Sequence, residues 1–471
     1  MIKKIHLIAS CGTGMGTLAC MLKEKGFLVT GSDENTYPPM SDVLEQKGIR
    51  LFDKYDARNL DHNPDIVIIG NAVTKDNIEA KEVLKRGIEY LSMPQAVNKF
   101  IAKDKKIILV TGTHGKTTTS AIMAHILHTA GLDPSFMIGG VLKDYGSGFR
   151  LGNGDYIVIE GDEYDTAFFD KGPKFMHYDP EITIITGIEF DHADIFENID
   201  HIKKVFKIFV EKIKNSSDII AFSENDNLND ILKQCRVDDA KLEKYGEKKS
   251  GDIKWFFSNH TQRESKTFFD IHGAKNKYSI QTNVMGRHNI LNMVACAVAA
   301  KKANIEDKYV QRALQTFSGI KRRQEICGIE NNIIVMDDFA HHPTAVKETI
   351  KAVKSFYKNK RLIAVFEPRT NTSMRNIFQK IYPNSFLMAD MVCVCEPNIK
   401  KNIAPQDKFS IKKLVSDIKK RKIKAQDFRK ADEIIDFLMP KLKQNDLVLI
   451  MSNGSFDNIH KKLLKKIKNN K

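Results

Sequence analysis

Residues 107–119 constrain this chain more than any other stretch. The apolar run Ile107–Thr111 reads as a buried strand, and Gly112-Thr113-His114-Gly115-Lys116-Thr117-Thr118 follows it directly. A helical pattern then extends from about Thr117 to Ala130, closed by Gly131 with Pro134 just beyond. A glycine loop between a strand and a helix turns successive backbone N–H groups toward one point, and the helix N-terminus adds a positive field. Phosphate suits such a turn. The spacing points to ATP, with Lys116 reaching the outer phosphates and Thr117 holding Mg2+. The loop is shortened, because Val110 stands where the usual pattern has its first glycine. His114 reads as structural rather than catalytic. A loop of this kind belongs to an open, mostly parallel α/β sheet.

The remainder is compatible with that fold. A chain of 471 residues has room for about three domains. Residues 4–9 read as a strand entering Gly12-Thr13-Gly14-Met15-Gly16, with a helical pattern to Leu22. A second strand ends at Val29, before Gly31-Ser32-Asp33, and the run Asp65–Ile69 ends in Gly70-Asn71-Ala72. The first turn is either a plain strand-to-helix connection or a variant dinucleotide fingerprint. Asp33 is placed to meet a ribose, and Thr17 replaces the third glycine. Later strands are expected at 156–160, 182–186 and 218–222, a β-rich insertion at 250–285 and a helix over 289–303. From about Lys321 strands and helices alternate again, with strands at 333–336, 361–365, 391–395 and 446–450.

Polar clusters follow several of these strands, where parallel sheets gather their ligands. Glu160-Gly-Asp-Glu-Tyr-Asp165 could supply an oxygen ligand for Mg2+, Glu160 being nearest the strand end, or could be a solvated acidic turn. Asp191 and His192 could serve a metal or a transferring phosphoryl group. Asn289 and Asn292, near a helix start, carry amides suited to an adenine edge or ribose, a signal barely above background. Arg323 could clamp phosphate, Asp338 could hold ribose or metal, and His341 and His342 follow a strand end. The segments 367–372 and 452–454 make the last third a second binding face.

Composition excludes several classes. No apolar run approaches the length of a spanning helix. Seven cysteines are too few for a disulfide scaffold and fit a reducing compartment. Cys393 and Cys395 read as buried structural residues. The net charge of +15 arises from 74 Lys and Arg against 59 Asp and Glu, concentrated between Lys400 and Lys424 and from Lys461 to Lys471. These runs lack interleaved aromatics and nucleic-acid modules, so they read as solvated surface, with a functional basic patch as the alternative. Lys3 and Lys4 precede an apolar stretch too short for a signal peptide. The expectation is a cytoplasmic protein with no targeting segment, no membrane insertion and no nucleic-acid partner.

In their order, GTHGKTTT, EGDEYD, the Asp191–His192 pair, GRHN, the paired arginines and DDFAHHP resemble the Mur ligase family from end to end. The resemblance implies an α/β fold of three domains: a Rossmann-like UDP-sugar-binding domain over 1–103, a central P-loop ATP-binding domain over 104–320 and a Rossmann-like C-terminal ligase domain over 321–471. It implies an ATP-dependent, amide-bond-forming ligase of bacterial cell-wall synthesis.

It also implies residue roles. Lys116, Glu160 and His192 would handle transferring charge, and Thr117, Glu160 and His192 the metal. Gly112, Thr113, His114, Gly115, Lys116, Thr117, Thr118, Asn289, Asn292, Arg323 and Asp338 would bind ATP. Gly12, Asp33, Ser41 and Asn71 would hold the UDP sugar, and Arg369, Asn371, Ser452 and Asn453 a peptide. Lys207 matches, by spacing after His192, a lysine carbamylated in some relatives. Tyr37-Pro-Pro-Met-Ser41, GNAVT at 70–74, DEYDTAFFDK at 162–171, EPRTNT and MSNGSFDNIH resemble the branch that joins L-alanyl-γ-D-glutamyl-meso-diaminopimelate to UDP-N-acetylmuramate in peptidoglycan recycling. The alternative branch adds L-alanine to the same UDP sugar.

Overall fold

A computed structural model describes residues 2–38, 40–263, 265–273, 276–397 and 403–469. Pro39, Lys400, Lys401 and Lys471, which belong to motifs and basic runs noted above, lie outside the described residues. The chain forms two compact units. One comprises residues up to Ile188 with Asp200–Trp255 and Val294–Ala313; the other comprises Glu189–Ile199, Phe256–Met293 and the residues from Leu314 onward.

The first unit holds two sheets. Strands β1 (Lys4–Ile8), β2 (Leu28–Ser32), β3 (Arg50–Phe52), β4 (Ile66–Ile69) and β5 (Glu89–Ser92) form an all-parallel sheet in the order β3-β2-β1-β4-β5. The order reverses between β1 and β4, which opens a crevice at the strands' carboxyl ends. Strand β2 continues past Val29 to Ser32, because Gly31 and Ser32 stay in register with Leu7 and Ile8 of β1.

The second sheet draws on β6 (Lys106–Thr111), β7 (Ser135–Leu142), β8 (Ser147–Arg150) and β9 (Tyr156–Glu160). After a hairpin of β10 (Asp165–Ala167) and β11 (Asp170–Pro173) it adds β12 (Ile182–Ile185), β13 (Asp218–Phe222) and β14 (Leu242–Tyr245). The order is β14-β13-β12-β6-β9-β7-β8, with β8 antiparallel to its neighbour. The hairpin also reaches the first sheet. Phe168 and Phe169 pack with Ile8, Leu60, Val67 and Val83, and the Phe169 and Tyr90 rings meet edge-on at 4.9 Å. Asp170 Oδ2 accepts from Ser92 Oγ at 2.9 Å and lies 3.1 Å from His177 Nε2.

The second unit contains the antiparallel β15 (Phe256–Arg263), β16 (Lys266–His272) and β17 (Lys277–Thr282). Its larger sheet has the order β18-β19-β23-β20-β21-β22, built from β18 (Glu325–Glu330), β19 (Ile333–Asp338), β20 (Arg361–Phe366), β21 (Met391–Cys395), β22 (Lys424–Phe428) and β23 (Asp446–Met451). All pairs are parallel except β18 with β19. Cys393 and Cys395 point into one apolar layer, and no disulfide links any of the seven cysteines. In the helices Ile411–Lys420 and Ile459–Asn469 the apolar residues are buried at helical spacing, while Lys412, Lys413, Lys419, Lys420, Lys465 and Lys466 face solvent. No helix among the described residues is long and apolar enough to cross a membrane.

A buried polar knot lies under the first sheet. Glu79, fully buried, accepts from Ser32 Oγ at 2.5 Å, Asn59 Nδ2 at 2.5 Å and the Asp56 N–H at 3.2 Å, and lies 3.5 Å from the buried His6 Nε2. Burial alone would raise the Glu79 carboxyl's pKa, but the contacts with His6, Ser32 and Asn59 hold it below its usual value. This stabilisation is therefore complete above the unfolded value near pH 4.3 and drains away as pH falls through the lower folded one. Glu79→Ala should lower stability by about 3 kcal/mol, since it strands several buried donors. Urea unfolding at pH 7 with an unchanged midpoint would contradict this.

Candidate functional site

The crevice of the first sheet carries three of the predicted sugar-side residues. Gly12 follows β1 and begins the helix Thr13–Glu24, Asp33 follows β2, and exposed Asn71 follows β4. Ser41 lies in the helix Met40–Gln46, buried, with its Oγ 3.3 Å from Asp42 Oδ1. Asp33 braces the first loop from within, accepting from the Cys11 N–H at 2.9 Å and the Asn35 N–H at 3.2 Å.

In the second sheet β6 lies between β12 and β9, so the ends of all three meet. Gly112 opens the loop, and the helix Lys116–Thr129 begins right after Gly115. Residues after β12 brace the loop: the Thr113 N–H donates to Gly187 O at 2.9 Å, and Thr186 Oγ1 donates to His114 O at 2.5 Å. The His114 carbonyl therefore belongs to the loop's own framework.

Lys116 is held three ways. Its Nζ donates to Gly112 O at 2.7 Å, Thr113 O at 3.2 Å and Glu163 Oε1 at 2.9 Å. Burial would lower the lysine's pKa, but Glu163, Glu160 and Asp162 outweigh it and keep the ammonium charged. Asp162 is matched in turn by Lys174 at 2.6 Å. Glu160, the last residue of β9, accepts from Thr117 Oγ1 at 2.9 Å and the Gly139 N–H at 2.8 Å. Two hard oxygens thus lie side by side at a helix head, a donor pair suited to Mg2+. Sequence reasoning placed Glu160 here but did not assign the lysine's partner among the four acids. Lys207 is exposed, and its Nζ donates to Gln234 Oε1 at 3.1 Å.

The second unit gathers the remaining candidates into three groups. His192, with φ 56°, adjoins buried Asp191, whose carboxylate faces His341 at 3.9 Å and accepts the His192 N–H at 2.7 Å. Burial would raise the Asp191 pKa, but His192, His341 and His342 hold it far below the usual carboxylate range. Asp338 accepts from the N–H groups of Gln324 and Ala340, both at 2.8 Å, and burial raises its pKa despite nearby Arg323. Asn289 Nδ2 donates to Met285 O at 2.8 Å and lies 3.4 Å from Gln324 Oε1, while Asn292 Nδ2 is 3.3 Å from Asn289 Oδ1. The amides and Asp338 therefore converge around Gln324.

The third group surrounds the turn after β23. Ser452 Oγ donates to the buried Glu367 at 2.6 Å, and Arg369 Nη1 lies 3.8 Å from the same carboxylate. Asn371 lies apart from this group, its amide donating to Asp194 Oδ2 at 2.5 Å. Glu367 and Arg322 bond to this turn from other parts of the chain but were not singled out in sequence. Glu367 begins the EPRTNT motif, and Arg322 is indistinguishable in sequence from Arg323.

Known proteins resemble this chain along its whole length. Three family models match consecutive stretches: "Mur ligase family, catalytic domain" over residues 4–105, "Mur ligase middle domain" over 110–300 and "Mur ligase, glutamate ligase domain" over 322–454. The UDP-N-acetylmuramate--L-alanyl-gamma-D-glutamyl-meso-2,6-diaminoheptandioate ligase of Escherichia coli is 37% identical, covering 98% of this chain and 97% of that protein. The protein of the same name from Haemophilus influenzae is 35% identical, covering 99% and 100%. The crystal structure of a murein peptide ligase from Psychrobacter arcticus superposes with a TM-score of 0.72 at 33% identity, covering 100% of this chain and 99% of that one. With every domain model matched in order and relatives aligned over nearly their full length, this chain belongs to the Mur ligase family.

Proposed function

We propose that the protein is a murein peptide ligase, joining L-alanyl-γ-D-glutamyl-meso-diaminopimelate to UDP-N-acetylmuramate with conversion of ATP to ADP and phosphate. The observation that carries this reading is the full-length likeness to enzymes of that name at 35–37% identity. The braced loop at 112–115, with Lys116, Thr117 and Glu160 at its end, supports the ATP half of the reaction. We place domain boundaries near residues 103 and 320. The cysteines, none of them in a disulfide, support a reducing compartment, and we place the enzyme in the cytoplasm.

The sugar's lactyl carboxylate would attack the γ-phosphate of ATP to give an acyl phosphate. The peptide's alanyl amine would then displace phosphate and form the amide. Direct condensation of carboxylate and amine is unfavourable in water, and the acyl phosphate supplies a leaving group. The N–H groups of the loop orient the phosphates, and the Lys116 ammonium stabilises charge as the phosphoryl group moves. Thr117 and Glu160 are assigned to Mg2+, which when bound would neutralise phosphate charge, and His192 is assigned to the same metal-assisted step. Asn289, Asn292, Arg323 and Asp338 are assigned to the nucleotide, Gly12, Asp33, Ser41 and Asn71 to the UDP sugar, and Arg369, Asn371, Ser452 and Asn453 to the peptide. Arg369 suits a carboxylate because its fork can donate two parallel hydrogen bonds.

ADP release with ATP, Mg2+ and UDP-N-acetylmuramate, comparing L-alanine with the tripeptide, tests the proposal. Tripeptide is expected to exceed alanine in kcat/KM by at least about 10²-fold, the discrimination available when a site's polar groups meet their partners. Preference for alanine would assign the enzyme to precursor synthesis instead.

A further inference from the structure

Arg322 sends its guanidinium into the turn that follows β23. Nη2 donates to Ser452 O at 2.7 Å and to Gly454 O at 2.6 Å, and Nε donates to Asp337 Oδ2 at 3.1 Å. The main chain of Arg322 is equally committed. Its N–H donates to Glu325 Oε2 at 2.7 Å, and its carbonyl accepts from the Phe339 N–H at 2.9 Å. Its φ of 61° lies in the left-handed region, which a non-glycine residue holds only when its surroundings impose it. The neighbouring Arg323 shares the Phe339 ring, its guanidinium carbon 4.9 Å from the ring centre against 5.3 Å for Arg322, but its charge is felt by Asp338.

The gripped turn has a shape that matters. The Gly454 N–H donates to Ser452 Oγ at 3.0 Å. A Cβ at Gly454 would lie 2.4 Å from Arg369 Nη1, so the Arg369 guanidinium rests directly on this backbone. Beside it, Asn453 Oδ1 is buried with no hydrogen-bond partner among the described residues. A buried acceptor left in this way is one that a ligand N–H can satisfy.

We propose that Arg322 is a positioning residue for the peptide substrate. It fixes the 452–454 turn and, through that turn, sets the Arg369 guanidinium and the Asn453 amide oxygen to receive the peptide's polar end. This rests on the peptide-ligase reading above. A planar fork is required, since one side chain must reach two carbonyls and a carboxylate together; a lysine ammonium is a single point charge on a flexible stem.

The test is steady-state kinetics of full-length Arg322→Lys and Arg322→Gln with ATP, Mg2+, UDP-N-acetylmuramate and the tripeptide. The tripeptide KM is expected to rise at least about tenfold in both variants, with the ATP KM changed less than about twofold and no rescue by lysine. Asp337→Asn, which loosens the same guanidinium from its other side, should shift the tripeptide KM the same way and serves if the Arg322 variants are insoluble. An ATP KM rising in step with the tripeptide KM, or no KM moving at all, would overturn the assignment. Wild-type enzyme that fails to turn over tripeptide would instead remove the peptide-ligase reading, and this inference with it.

Discussion

Lys116→Met is expected to lower turnover by about 10²–10³-fold, the scale of losing one preorganised charge-stabilising donor. Stability should fall as well. The ammonium is the partner of Glu163, whose side chain is only 4% exposed. Removing one member of such a buried pair leaves the other charge stranded, at about 3–5 kcal/mol. Lys116→Met with Glu163→Gln removes both charges and should regain much of that stability without regaining turnover. Chemical denaturation and ADP release on the three proteins separate the two roles. A single variant as stable as wild type, or a double variant with restored turnover, would mean that the ion pair or the phosphate-side role has been misread.

Gly112→Ala should be comparably damaging for a different reason. Gly112 has φ 117°, and a Cβ there would meet Thr186 Oγ1 at 2.6 Å, Gly187 O at 2.7 Å and the Thr186 N at 2.9 Å. Two of these are backbone atoms that cannot swing aside. The loop would have to part from its brace after β12, breaking the bond from the Thr113 N–H to Gly187 O. We expect a loss of about 2–4 kcal/mol from strain and overpacking together, and an ATP KM raised beyond what the stability change explains. Normal ATP saturation in Gly112→Ala would show that the loop tolerates the shift and that its brace is dispensable.

The fold was most legible where strands are fully buried. Ile107–Thr111, 182–186, 391–395 and 446–450 are near-continuous apolar runs, as parallel strands covered on both faces should be. Strands β3, with three half-exposed or exposed residues, and β18, an edge strand with no fully buried residue, carry no comparable pattern. Within the candidate site, the turn at 112–115 between strand and helix was readable because glycine spacing reports backbone geometry directly. Partner choice was not. Glu160 and Glu163 are equivalent as letters, and only the end of β9 puts one beside Thr117 and the other beside Lys116. Likewise, nothing in a pair of arginines says which turns toward Ser452 and Gly454.

The hairpin of β10 and β11 bears on how this chain can be divided. Phe168 and Phe169 complete an apolar layer whose other members, including Ile8, Leu60, Val67 and Tyr90, all lie within the first 92 residues. A fragment cut near residue 105 would therefore keep every strand of the first sheet yet present an open aromatic-sized socket to water. Such a fragment should be poorly soluble, and it should be rescued by a peptide spanning the hairpin supplied in trans. The first sheet is in this sense an incomplete module, finished by a hairpin from a later part of the chain.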